Sequence, residues 1–588
     1  MSAIPPAAQS SVGSGPAVLP RLGWAGLDVR ARGWLGGALP VAVGILVALP
    51  VLLLLANSFN VAGPGQAVRY GIQSWTQAFT DATAMRSLWV TILLGVVRIG
   101  IALPIAFTMA WLIARTDMPG RTVLELLCWT GIFLPVLPLT FGWILLADGQ
   151  FGLVNLALKQ LPFIHGSVFN VYGFWGIVWV HIACSTVYFM VILMLPALRR
   201  IGASMEEAAR MCGANQLRTL TRITIPLLTP AILGVMLLAF VRSLETFEVE
   251  LVIGKPAGIS VYSTRIYDLV RDQPPHFGEA TALGFVFLLV MVVLAVFYQR
   301  AIRGRSFVTV TGKSFSTEPV KLGRFRWLAV SASFGFIAVA MTAPLIFLLL
   351  GSFMRRYGFF QIQNPFTAKH WQDLFNDPAF LSSAANSLKL AATVAVVVVV
   401  VYSLVAYRLV RIPSRATRTG ELLLWVPWAV PGILMSLGLL WMFLGTPLRS
   451  ALYGTLFGII LAIVIKESPF ATLFFRAGML QIGAELEESA RVNGATWLRT
   501  YFRILLPLLA PTAMSVALLS FLSAIRDIST TVLLYSPPSR PISILMLEYS
   551  FAGEMERGAA IGVLVTIFVL LVTIGARSLG FRLARERV

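Results

Sequence analysis

Apolar blocks of about 20 residues alternate with short polar stretches along the whole chain, each long enough to cross a hydrocarbon core ~30 Å thick as a helix. The pattern predicts about twelve spans. Six fall at 36–58, 87–114, 122–147, 172–197, 225–253 and 279–301, and six at 327–352, 384–409, 421–444, 453–475, 506–535 and 558–580. Long continuous blocks favour helices over a closed barrel, whose strands would show short alternating segments. The expected fold is all-α, a polytopic transmembrane helical protein. An even number of spans puts both termini on one side.

Two polar inserts interrupt the pattern, Glu206–Leu228 and Glu487–Leu509, each between the fourth and fifth span of its half. A shift of 281 residues lays Ile201–Pro230 on Ile482–Pro511 without a gap, with 18 of 30 positions identical. Two sets of six spans in the same order form a parallel repeat about an axis along the membrane normal. The expected divisions are a disordered cytoplasmic tail (1–35), a first half (36–302, insert 200–226), a basic linker (303–326) and a second half (327–582, insert 481–507). Outside the inserts the halves agree mainly in span order. One further echo is a pair of third-span prolines, Pro135 and Pro138 against Pro427 and Pro431.

Each insert reads as a good helix-forming run, a glycine (Gly213, Gly494), a second helical run and a proline (Pro226, Pro507) opening the next span. Glycine permits the left-handed turn that ends a helix, and proline is tolerated in a first turn. The product is a compact knob of two short helices beside the membrane. A single such knob would suit an amphipathic helix lying on anionic headgroups equally well. Two near-identical copies between diverged spans point instead to the same kind of partner, met twice.

Composition and charge agree with this reading. The chain of 588 residues is 57% hydrophobic and 12% charged, against about 25% charged in soluble domains; its mean hydropathy is +0.82. The net charge of +20 would suggest nucleic acid in a soluble protein, but no basic domain exists outside the loops. Lys and Arg collect on the cytoplasmic side of membrane proteins. The segments on the side of the inserts and the termini hold 29 of them, and the opposite loops 12, so the inserts and both termini are expected in the cytosol. Membrane lipid is an expected partner and nucleic acid is not. Cys128, Cys184 and Cys212 show no disulfide or zinc spacing and the four histidines form no HExxH pattern, so no metal site is expected. Gly312-Lys313-Ser314 resembles the end of a phosphate-binding loop, but Phe307 stands where the earlier glycine is required and no strand precedes it. No ATP site is expected.

Glu207-Ala208-Ala209, three residues, Gly213, nine residues and Ile223-Thr224-Ile225-Pro226 resemble the EAA loop of binding-protein-dependent ABC importer permeases. The second copy reads Glu488-Ser489-Ala490, three residues, Gly494, nine residues and Ile504-Leu505-Leu506-Pro507, with Ser489 for the first alanine. In the first copy Ile225 replaces the usual leucine. The resemblance covers about residues 36–580 and implies two type I importer permease domains fused in one chain. The paired third-span prolines look most like the ferric-iron type. The resemblance implies that Glu206, Glu207, Ala209, Arg210 and Gly213, with Glu487, Glu488, Ala490, Arg491 and Gly494, couple to two copies of a cytoplasmic ABC ATPase. Those subunits would bind ATP and Mg, leaving this chain a transport subunit of the cell inner membrane, with no cofactor and no enzyme activity of its own. A periplasmic solute-binding protein would deliver ferric iron, and the fourth and fifth spans would rock to open the path. Sibling substrates are 2-aminoethylphosphonate, thiamine, a polyamine or sulfate. A secondary transporter could also have six plus six spans, but it has no motor to grip the two inserts.

Charges inside spans cost several kcal/mol and usually face a cavity or a partner. The fifth spans carry Arg242, Glu245, Glu248 and Glu250, and Arg526 and Asp527. Spacing by three places Arg242, Glu245 and Glu248 on one helix face. Two readings stay open: the group lines a translocation path suited to a cation, or it forms salt bridges closing a gate, with Arg526 answering Glu245 or Glu248. Glu250 is expected at the interface, and Arg98 and Lys466 are expected to snorkel or pair. The segments 59–86, 148–170, 254–277, 353–383 and 536–557 are the expected outer platform for a binding protein.

Overall fold

A computed structural model describes residues 29–62, 67–164, 166–200, 209, 211–302, 319–447 and 449–585. Most of the N-terminal tail, most of the linker, and Glu206, Glu207 and Arg210 of the first insert lie outside the described residues. The first half contains α1 (Val29–Ser58), α2 (Gln73–Thr80), α3 (Ala82–Arg115), α4 (Arg121–Phe133), α5 (Val136–Ala147), α6 (Phe174–Arg199), α7 (Leu220–Leu244), α8 (Tyr262–Arg271) and α9 (Phe277–Ile302). The second half contains α10 (Phe325–Ser352), α11 (Lys369–Asn376), α12 (Pro378–Arg411), α13 (Arg415–Ala429), α14 (Gly432–Leu444), α15 (Leu456–Lys466) and α16 (Ser468–Leu480). It continues with α17 (Glu485–Val492), α18 (Trp497–Leu508), α19 (Ala510–Arg526), α20 (Ile542–Phe551) and α21 (Met555–Arg585). Among the described residues seven helices are long and apolar enough to cross a membrane, or up to eleven if each bent pair is one span. The 26-residue α9 fills the twelfth position.

The third spans are not straight. α4 meets α5 at 101° and α13 meets α14 at 118°. Proline disfavours helical backbone in the residue before it, and Leu134 and Val430, which precede Pro135 and Pro431, are extended. One proline of each echoing pair, Pro135 and Pro431, therefore sits at the break itself. The second spans behave oppositely: α3 and α12 are each 34 unbroken residues, opened by an aspartate cap. Asp81 accepts from the Thr83 amide at 2.8 Å and pairs with Arg265 at 2.9 Å. Burial pushes its carboxyl up, but those two donors together hold it below its ordinary pKa.

Each half lends its first span to the other. α1 packs on α13 and α14, and α10 packs on α5. The contact is backbone to backbone. A Cβ on Gly142 would lie 2.0 Å from the Pro344 carbonyl oxygen, and one on Gly438 would lie 2.6 Å from that of Pro50. Gly142 and Gly438 are equivalent, as are Pro50 and Pro344, so one glycine–proline contact is made twice across the two-fold axis.

The fifth spans are shorter than the apolar pattern predicts. Their helices stop at Leu244 and Arg526, not at 253 and 535. The chain then turns back through α8 and α20, both largely buried, so much of 254–277 and 536–557 is interior packing rather than open platform. One echo, in the outer segments that follow the first spans, escaped the sequence reading. Trp75 donates to the Ser58 hydroxyl at 3.2 Å and stacks near Phe59; Trp371 donates to Ser352 at 3.3 Å and stacks near Phe353.

Candidate functional site

The second insert takes the expected helix–turn–helix form, α17, a turn at Gly494 and α18, and the described part of the first shows the same turn and second helix. Gly213 and Gly494 are both left-handed, at φ 79° and 75°. The Ala214 amide returns to the Ala209 carbonyl at 3.0 Å, and the Ala495 amide to Ala490 at 2.9 Å, which satisfies carbonyls orphaned at a helix end. The second short helix is opened by a side-chain acceptor in each copy: Asn215 takes the Arg218 amide, and Thr496 the Arg499 amide. Just before each glycine the apolar tip stands in the open, Met211 at 89% and Val492 at 88% exposure.

Within the second insert the candidate residues divide. Glu488 and Arg491 are exposed. Ala490 is buried, and so is Glu487, at 4%. Glu487 turns inward onto the end of α12: Arg411 Nε donates to it at 2.5 Å and the Tyr407 hydroxyl at 3.0 Å. Arg491 lies 3.9 Å from it on the same helix. Glu487 therefore does not share the outer surface with Glu488, and adjacency in sequence is the reason: consecutive helical residues face about 100° apart.

Charges from both halves meet at a seam between them. Glu245 is within electrostatic range of Arg242 and Lys466, and Glu248 of Asp527 and Lys466. Arg526 is within range of Arg242, Glu467, Glu248 and Asp527. Because α7 stops at Leu244, Glu245 caps the helix and Glu248 lies past its end. The three residues Arg242, Glu245 and Glu248 thus gather here without sharing one helical face. Arg526 answers neither glutamate directly; its Nη1 donates to the Ile132 carbonyl at 2.9 Å. That carbonyl belongs to the last turn of α4, where the third-span break leaves acceptors unpaired. Asp527 pairs with Lys466 and also accepts from the Thr530 amide at 2.9 Å. Glu467, which the sequence reading missed, accepts from Ser520 at 3.3 Å. The carboxylates of Glu245 and Glu248 carry no ion pair among the described residues.

Glu250 belongs elsewhere. It is fully buried in the first half, 2.7 Å from His181 Nε2 and 2.7 Å from the Thr246 hydroxyl, with Arg98 in electrostatic range. It is not at an interface. A lone histidine inside an otherwise apolar span was the sequence signal for this pair.

Beyond the seam, on the side away from the inserts, both halves line a cleft of about 390 Å³ with Asp148, Asn170, Tyr172, Pro256, Phe551 and Met555. Among the described residues no group of three or more His, Cys, Asp or Glu is placed to hold a metal ion. At the first-half insert side, the end of the linker is clasped to the end of α3: Val320 donates to the Arg115 carbonyl at 2.8 Å and Leu322 to Asp117 at 2.9 Å.

Among known proteins, the chain is 27% identical over 503 residues to the putative ferric transport system permease protein FbpB 1 of Haemophilus influenzae, covering 84% of this chain and 76% of that one. It is 28% identical over 406 residues to the ferric transport system permease protein FbpB of Actinobacillus pleuropneumoniae, 68% of this chain and 58% of that one. Over 32% of its length it is 30% identical to the sulfate transport system permease protein CysT of Salmonella typhimurium, covering 65% of that protein. The model of the binding-protein-dependent transport system inner membrane component matches twice, at residues 92–307 and 403–585, once in each half and each time across an insert. With the helical repeat, the duplicated glycine-capped inserts and a match in each half, the chain belongs to the family of inner-membrane components of binding-protein-dependent transport systems, as a fused ABC importer permease.

Proposed function

We propose that this permease carries ferric iron, handed over by a periplasmic binding protein, and is driven by two cytoplasmic ABC ATPase subunits seated on its two inserts. The observation that carries the coupling half of this reading is the matched pair of inserts, each ending in a left-handed glycine behind an exposed apolar residue. A knob with a greasy tip and a charged rim is what a protein groove receives. Met211 and Val492 form the tips, and the exposed Glu488 stands on the rim of the second. The ATP and Mg belong to the partner subunits. Both termini and both inserts lie in the cytosol on the charge distribution of the loops.

The iron half rests on the seam and on the relatives' names. Two carboxylates without ion pairs among the described residues, Glu245 and Glu248, lie within electrostatic range of second-half charges. Acidic oxygen ligands suit a hard cation in transit. Arg526 on the Ile132 carbonyl crosses between the halves and holds the seam shut until they separate.

Replacing Glu207 and Glu488 together by Lys tests the coupling. The expected result is at least a tenfold loss of ATPase co-purification with the permease still inserted in the membrane. Wild-type co-purification and transport in that variant would refute the docking assignment.

A further inference from the structure

α12 is the longest straight connection between the second insert and the far side of the molecule. Its 34 residues span about 51 Å at 1.5 Å per residue. Its only proline, Pro378, sits in the first turn, where it interrupts no hydrogen bond. The neighbouring elements are jointed instead: α15 and α16 bend by 53°, and α18 and α19 by 76°.

Both ends of α12 are held. At the insert end, Arg411 and Tyr407 grip Glu487 as described, and Arg411 Nη2 also donates to the Ile482 carbonyl at 2.8 Å. The second arm of the insert closes on the same turns. The Tyr407 ring meets Trp497 at 5.7 Å, Arg408 lies over Trp497 at 5.6 Å, and the Ser403 and Tyr501 hydroxyls are 2.6 Å apart. At the far end, Asn386 donates to the Pro538 carbonyl at 2.8 Å, and Ser387 accepts the Ile542 amide at 2.7 Å. Tyr549 donates to the capping Asp377. These partners flank and form α20, whose last residues border the outer cleft between the halves.

We propose that Glu487 is a positioning residue that locks the second insert to α12, so that movement of the insert is delivered along α12 to the Pro538–Phe551 segment at the outer cleft. Arg411 supplies the charge and one donor to a Glu487 oxygen, with a second donor on the Ile482 carbonyl, and Tyr407 donates to the other Glu487 oxygen. A charge-assisted bond on one carboxylate oxygen and a hydroxyl on the other fix orientation as well as distance. The jointed fourth and fifth spans flex at their bends, while the straight helix carries displacement over its full length. The proposal rests on the reading that the inserts seat ATPase subunits, and it adds a route that the exposed Glu488 does not use.

The test is made on the full complex of permease, ATPase and loaded binding protein in lipid vesicles. Glu487→Gln keeps the shape and removes the charge. The expected result is ATPase co-purification at the wild-type level, with a tenfold or greater fall in the ratio of binding-protein-stimulated to basal ATP hydrolysis. Tyr407→Phe, which keeps the ring, is expected to lower the same ratio two- to fivefold. The exchange Arg411→Glu with Glu487→Arg is expected to restore part of the ratio lost in either single change. Loss of ATPase co-purification in Glu487→Gln would make the residue a docking contact and overturn the proposal, as would an unchanged ratio. Failure of the wild-type chain to bind the ATPase would instead refute the function proposed above.

Discussion

Each half bridges its fourth span to the segment ending its fifth with a carboxylate held by a basic side chain, but the two pairs differ in chemistry and place. In the first half it is His181 with Glu250; in the second it is Lys466 with Asp527. In the register of the inserts, Ala462 and Thr531 stand where His181 and Glu250 would fall, and Ser185 and Thr246 where Lys466 and Asp527 would fall. The second pair is displaced by four residues along each span, in both cases toward the insert, which is about one helical turn. The first pair is sealed in the core of its half, whereas Lys466 is one-third exposed at the seam. The bridge is thus a requirement of the fold, and its location is what the halves have been free to change. One helical turn separates a pair sealed inside its half from a pair at the seam.

The largest effect separating the two pairs is expected on stability. Glu250→Ala leaves His181 and Arg98 buried around a lost acceptor, and removing one member of a buried pair costs about 3–5 kcal/mol. Lys466→Met leaves Asp527 its Thr530 bonds, so about 1–3 kcal/mol is expected, near the value of a hydrogen bond to a charged group. Thermal unfolding in detergent compares them. Equal losses would remove the distinction between a sealed pair and a seam pair.

The glycine–proline contacts sharpen the comparison from the opposite direction, because here the halves are the same. Gly142→Val and Gly438→Val each push a side chain into the backbone of a borrowed first helix, and overpacking of this kind costs about 1–3 kcal/mol. The two variants are expected to lose stability by similar amounts in the same assay. A loss confined to one would mean that the exchange of first spans supports only one half.

Much of this was legible in the sequence, because its physical signals are local. Apolar block length marks the spans, glycine and proline mark the inserts, and the shift of 281 marks the repeat. What was not legible depends on partners far apart in the chain. Gly142 and Gly438 are separated by 296 residues, not 281. The outer segment between third and fourth spans is longer in the first half by the difference, which hides the shared contact from a single shift. The end of α7 at Leu244 was masked by the apolar residues that follow, since buried turns and buried helices share a composition. Glu487 and Glu488 looked equivalent in sequence, and only the place of Arg411 and Tyr407 on α12 tells the anchored one from the exposed one.

The central claim is that the seam passes ferric iron under the control of the inserts. Its most direct test is ATP-dependent accumulation of iron in vesicles holding the permease, its ATPase and the iron-loaded binding protein. Wild type is compared with the double variant Glu245→Gln, Glu248→Gln. The account predicts accumulation in wild type and at least a tenfold loss in the variant with its ATPase still bound. Iron uptake at the wild-type rate in the variant, or none by the wild type, would contradict it.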